Sequence, residues 1–232
     1  MIAAIDATMH VAPPFYPVSP DPSDLDAISA IISQQLYLTN WRGATDVAQL
    51  EYLAITHIAA IGTEFISDVQ LKEGLIYYRQ DIVDDESAGD EMAKSLHAAA
   101  AFIRDAISSG GRCLVHCAAG VSRSTTCVLA YFVLHTATTL RHALAKVMQK
   151  RRVVWPNDGF MRALIVLEIE TFGVASITIE EWIAWGDYDD SLHLLSSSAT
   201  SGEGPVNASL SREGRQELAR FASCDASKGS KR

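Results

Sequence analysis

Cysteine is scarce, at four residues in 232, which is too few for a disulfide framework. Positive charge is also in deficit: 19 Lys and Arg stand against 28 Asp and Glu, a formal charge of −9. A protein built to grip nucleic acid or an anionic membrane surface shows the opposite balance, so neither is an expected partner. No apolar run approaches the roughly 18 to 20 residues that span a bilayer. The opening MIAAIDATMH has no basic start and carries Asp6, so no secretory signal is expected. No cluster with metal-ligand spacing is visible, and no cofactor is called for. The expectation is a soluble protein of a reducing compartment, cytoplasmic or nuclear.

The hydrophobic content of 48% with 20% charged residues is that of an ordinary globular chain, but the composition is uneven. Five of the seven prolines lie between Pro13 and Pro22, with Pro14, Pro17 and Pro20 three apart, a spacing that suits an extended polyproline segment. Residues 1–27 therefore read as a stiff leader, with a docking site for SH3- or WW-type modules as the other use of such a segment. Residues 176–203 hold six acids and no base, and the remainder is rich in Ser, Ala and Gly. From 204 on little apolar surface can be buried, so 176–232 reads as an acidic segment followed by a low-complexity tail, with Thr178–Glu181 fitting a capping box for one more short helix through Trp182 and Trp185. The expected domain is 28–175.

Within that domain the hydrophobic period alternates between two and 3.6. Strands are predicted over 35–38, 56–61, 76–83 and 113–116, and helices over 44–54, from Asp90 to the Gly110-Gly111 pair, 138–150 and 158–172. Residues 128–134 are apolar all round, as in a helix buried on most sides. Strands alternating with helices predict an α/β fold with a mainly parallel central sheet and helices on both faces.

The stretch that carries chemistry is His116-Cys117-Ala118-Ala119-Gly120-Val121-Ser122-Arg123-Ser124, at a strand-to-helix turn. A tight loop of this length turns successive backbone N–H groups inward to form an anion nest, and the following helix adds its positive end. Gly120 supplies a position free of side-chain clash where the chain curls. Arg123 arrives across the loop with a planar fork that can grip two phosphate oxygens. Cys117 sits at the floor, where nest, helix end and guanidinium favour the thiolate form. A thiolate beneath a bound phosphate is a nucleophile aimed at phosphorus. A merely buried thiol would leave His, Gly, Ser and Arg at fixed offsets unexplained.

These residues resemble the signature of the cysteine-dependent protein phosphatases, a His-Cys pair, five residues, Arg and then Ser or Thr, and more narrowly that of the dual-specificity subgroup. ISQQLYLTN (32–40), LEYLAITHIAAI (50–61), the approach AFIRDAISSGGRCLVHC and WPNDGFMRALIVLE (155–168) are similar to other segments of that family, so the likeness covers about 28–172. It implies the phosphotyrosine protein phosphatase fold, with a sheet of about five strands. It also implies hydrolysis of phosphotyrosine, phosphoserine and phosphothreonine in a phosphorylated protein through a phosphocysteine on Cys117. Arg123 would hold the phosphate within a cradle of Ala118, Ala119, Gly120, Val121 and Ser122. Ser124 would assist release of the thiolate, and His116 would tune the cysteine through the loop backbone. The family places a general acid about 30 residues before the cysteine. Asp85 falls in that register and Asp84 is one place off it. Asn157 matches a position that braces the catalytic loops, though Asn157 and Asp158 equally read as a helix cap. Arg151 and Arg152 match a region that contacts a second phosphate in relatives, with a solvated helix end as the plainer reading.

The variable loop positions Ala118, Ala119 and Val121 are neutral, whereas phosphoinositide phosphatases of the superfamily often carry lysines there. This favours phosphoprotein over lipid or RNA 5′-phosphate substrates. The competing classes are a phosphate-binding module without catalysis, which usually lacks the cysteine or arginine, and a rhodanese-like sulfur carrier, which would not account for Arg123-Ser124.

Overall fold

The computed structural model of the chain describes residues 25–62 and 72–186. The proline-rich leader up to residue 24 and the tail from 187 onward lie outside the described residues. Among the described residues five strands form one sheet: β1 (Ser29–Ile32), β2 (Leu36–Thr39), β3 (His57–Ile61), β4 (Ile76–Gln80) and β5 (Cys113–His116). Their spatial order is β1-β2-β5-β3-β4. Only β1 runs antiparallel to its neighbour, and the β2–β5, β5–β3 and β3–β4 pairs are parallel. The expected α/β fold with a mainly parallel sheet is thus the observed one.

Strand side chains alternate between two apolar layers, as the period of two demands. Leu36, Leu38, Ala59, Ile61, Cys113 and Val115 face one core, while Tyr37, Ile58 and Leu114 face the other. The smaller layer is closed by two short helices, α1 (Trp41–Thr45) and α2 (Val47–Tyr52). The larger is closed by α3 (Gly89–Ser108), α4 (Arg123–His135), α5 (Leu140–Lys150) and α6 (Asp158–Phe172). On α4 every residue from Arg123 to Val133 is buried, in keeping with its apolar sequence. β5 lies in the middle of the sheet, and the signature loop leaves its carboxyl end, where open α/β sheets place their ligands.

Three boundaries differ from the sequence prediction. The helix expected over 44–54 is two helices. Asp46 ends the first with its N–H bonded to the Gly43 carbonyl, then starts the second by accepting from the Gln49 N–H. The strand expected over 76–83 stops at Gln80, releasing residues 81–85 toward the signature loop. The edge strand β1 was not anticipated, being only four residues long and paired to β2 through a tight turn with Gln34 at φ 60°.

The packed unit also runs past the boundary expected at 175. A capping box in which Thr178 and Glu181 exchange hydrogen bonds opens a further helix over 179–186. Trp182 of this helix is fully buried and stacks on Trp155 with ring centroids 3.9 Å apart. Arg141 of α5 grips Glu181 with a bidentate pair at 2.8 and 2.9 Å and lies over the Trp185 ring. No helix among the described residues is long and apolar enough to cross a membrane.

Candidate active site

Residues 117–122 form a loop between β5 and α4 that is buried throughout. Its carbonyls are held from outside. The Ala118 carbonyl accepts from the Trp41 N–H at 3.1 Å and the Val121 carbonyl from the Trp155 N–H at 2.8 Å. The Gly120 and Ala119 carbonyls accept from the guanidinium of Arg151 at 2.8 and 3.4 Å. The Ser122 carbonyl accepts from Thr126 within α4. A trans peptide points its N–H opposite its carbonyl, and no peptide bond here is cis. Carbonyls anchored outward leave the N–H groups of the same peptide planes on the opposite side, as an anion nest requires. Gly120 adopts φ +67°, and a Cβ at that position would collide with the Thr39 carbonyl and crowd Arg151. No other residue type fits there.

Cys117 lies at the floor of this loop and is 1% exposed. Its Sγ accepts from the Gly120 N–H and from the Ser124 hydroxyl, each at 3.2 Å. The other described cysteines stand apart from this chemistry. Burial pushes the Cys113 thiol up to about 12 and raises Cys127 further, so neither ionises near neutrality.

Arg123 is fully buried at the first turn of α4. Its Nη1 donates to the Ile82 carbonyl at 3.0 Å, and its Nε lies 3.5 Å from Asp84 Oδ2. Asp84 is the acid brought to the loop: its Oδ1 accepts from the Ser122 hydroxyl at 2.7 Å and from Asn157 Nδ2 at 3.0 Å. Asp85, the acid in the expected register, instead caps the short 3₁₀ turn Glu86–Ala88, accepting from the N–H and hydroxyl of Ser87. Asn157 makes contacts in both directions. Its Oδ1 caps α6 at the Phe160 N–H, while its Nδ2 braces Asp84 and its own N–H reaches the Ser122 hydroxyl. Ser122, Asp84 and Asn157 thus lock the acid-bearing segment, the loop and α6 together.

His116 is buried, with Nδ1 3.4 Å from the Cys117 carbonyl. Burial, assisted by Arg123, lowers its pKa to about 4. A histidine whose folded value lies below its unfolded value of about 6.5 contributes stability that is complete above pH 6.5. That stability is lost as pH falls toward 4. We expect urea unfolding to report a loss on the order of 3 kcal/mol between pH 7.5 and 4 that His116→Asn removes. Equal pH slopes for the two proteins would contradict this.

Sequence reasoning missed Arg151. Read as a solvated helix end, it is 3% exposed and bonded across the back of the loop, whereas Arg152 alone faces solvent. The sequence signal was present only as a second arginine at the end of α5. Among the described residues no group of three or more His, Cys, Asp or Glu side chains is placed to hold a metal ion.

A central parallel sheet delivering a cysteine into a loop of inward N–H groups, with an arginine at the next helix start, defines the cysteine-dependent phosphatase class. Comparison with known proteins narrows this. Residues 36–170 match the model of the dual specificity phosphatase catalytic domain. Over 155 residues the chain is 36% identical to Dual specificity protein phosphatase PHS1 of Arabidopsis thaliana, covering 66% of this chain and 16% of that protein. Over 135 residues it is 40% identical to Dual specificity protein phosphatase 26 of Bos taurus, covering 57% of this chain and 64% of that one. The chain therefore spans under two thirds of the length of either relative. The crystal structure of human DUSP28 superposes with a TM-score of 0.57 at 26% identity, covering 66% of this chain and 97% of that one. The chain belongs to the dual-specificity phosphatase family.

Proposed function

We propose that the protein hydrolyses phosphate monoesters on Tyr, Ser and Thr side chains of proteins through a phosphocysteine intermediate. The observation that carries this reading is the convergence of the Gly120 N–H and the Ser124 hydroxyl on Cys117 Sγ beside the buried Arg123. The thiolate attacks phosphorus as the ester P–O bond breaks, and the leaving oxygen takes a proton from a carboxylic acid. Water then attacks the phosphocysteine, gives its proton back to that carboxylate, and the S–P bond breaks. Ser124 donates a hydrogen bond to the sulfur that departs. Arg123 and the loop N–H groups hold the equatorial oxygens, whose charge must be stabilised in both steps.

Asp84 is the acid we assign. It shares Arg123 with the incoming phosphate and is held at the loop by Ser122 and Asn157. Asp85 is engaged in its cap. Asp84→Ala should therefore lower turnover of a phosphoserine or phosphothreonine peptide by roughly 100- to 10,000-fold, the range for losing a general acid. The loss should shrink on an aryl phosphate whose leaving group needs little protonation. Asp85→Ala should leave turnover within a few-fold and cost about 1 kcal/mol of stability, as for other lost caps. The reverse pattern would return the role to Asp85.

The walls of the loop, Ala118, Ala119 and Val121, carry no charge, which favours a single phosphate over the multiple charges of a phosphoinositide headgroup. Hydrolysis of phosphotyrosine, phosphoserine and phosphothreonine peptides beside phosphoinositide micelles, with reductant and without metal, tests the reading. Preference for the micelles would transfer the substrate to lipid. Tight phosphopeptide binding without turnover would make the protein a binding module.

A further inference from the structure

We propose that Arg151 is a positioning residue that sets the two peptide planes at the centre of the phosphate loop from behind. Hydrogen bonds to two separate segments place it. Nε donates to the Gly120 carbonyl at 2.8 Å, and Nη2 to the Ala119 carbonyl at 3.4 Å and the Leu25 carbonyl at 2.9 Å. Nη1 donates to the Ala27 carbonyl at 3.0 Å and the Ser29 hydroxyl at 3.4 Å. The guanidinium therefore joins the segment 25–29 to the loop across the end of α5.

The Ala119 carbonyl and the Gly120 N–H share one plane, and the Gly120 carbonyl and the Val121 N–H share the next. Pulling both carbonyls toward Arg151 turns both N–H groups the other way. The Gly120 N–H meets Cys117 Sγ at 3.2 Å. Gly120 at φ +67° is free to flip because it has no Cβ, so this is the point of the loop most in need of an external hold. A guanidinium is suited to the task because its donors diverge in one rigid plane. Its fixed positive charge also lies on the far side of two peptide dipoles whose positive ends face the thiolate and the phosphate. Trp41 and Trp155 hold the neighbouring carbonyls with single backbone N–H groups, which a side-chain substitution does not remove. Arg151 is the hold that mutation can release.

This inference rests on the loop being the phosphate site, and its test is read both with and without turnover. Binding of tungstate, an oxyanion that does not react, would be measured by calorimetry for wild type, Arg151→Met and Arg151→Lys. Beside it, kcat and KM on an aryl phosphate and the pH profile of Cys117 alkylation by iodoacetate would be recorded. Arg151→Met should weaken tungstate at least tenfold, lower kcat/KM on the order of 100-fold and move the alkylation profile to higher pH. Arg151→Lys, which keeps the charge but not the planar fork, should fall between the two. If Arg151→Met does not fold, the lysine variant decides the matter by the same three readings. Tungstate affinity and alkylation profile equal to wild type, with the damage confined to the thermal midpoint, would overturn the proposal. Wild type that binds tungstate in an Arg151-dependent way yet hydrolyses nothing would overturn the phosphatase reading and leave this one standing.

Discussion

Cys117→Ser is expected to lower aryl phosphate turnover on the order of 100,000- to 1,000,000-fold, the scale seen when a hydrolase loses its covalent nucleophile. The substitution changes one atom and keeps the volume of a side chain that is 1% exposed, so the fold should survive. A serine hydroxyl in that place could still accept from the Gly120 N–H and the Ser124 hydroxyl, but it does not ionise near neutral pH. Both groups that reach this position, the Gly120 N–H and the Ser124 hydroxyl, are donors, so neither takes its proton. The variant should therefore retain tungstate binding while losing turnover. Single-turnover hydrolysis of a labelled substrate with acid quench checks the same point, because wild type should carry label on protein and the variant none. A loss of less than about 100-fold would mean that the attacking atom is not this sulfur.

Arg123→Lys should cost roughly 1,000- to 100,000-fold in kcat, the range over which an arginine acts in phosphoryl transfer. Lysine keeps the charge but presents a point donor instead of a fork matched to two phosphate oxygens. It also disturbs the resting site. Arg123 is fully buried and reaches both the Ile82 carbonyl and Asp84, so the acid-bearing segment loses two of its anchors. Kinetics over a range of substrate concentrations separate the effects: loss of transition-state binding lowers kcat, whereas a merely misplaced loop raises KM. Thermal unfolding beside them shows whether the variant remains folded. Retention of more than a tenth of wild-type kcat would remove Arg123 from the role assigned to it.

The strand CLVH at 113–116 and the helix over 158–172 fall where their periodicity puts them, because each is long enough or apolar enough for the local pattern to decide. Cys117, Arg123 and Ser124 are equally local, being spaced within one turn. The acid is different. Counting along the chain favours Asp85, but the strand ends at Gln80 and the next three residues follow a path set by burial of Ile82. Which of two adjacent aspartates faces the loop then depends on where Ser122 and Asn157 stand, 38 and 73 residues away from Asp84. Arg151 shows the same limit. Its partners at residues 25, 27, 119 and 120 are invisible in a window around it, so its charge reads as surface.

The fold class and the turn that carries Cys117 and Arg123 are legible in the sequence alone. Those depend on hydrophobic period and on contacts within a few residues, which chain connectivity alone enforces. Tertiary packing sets which acid meets the loop, that Asn157 both caps a helix and bonds that acid, and that the helix bearing Trp182 packs on Trp155. Those depend on groups far apart in the chain. Their meeting is set by how whole layers pack, and no local pattern encodes that distance.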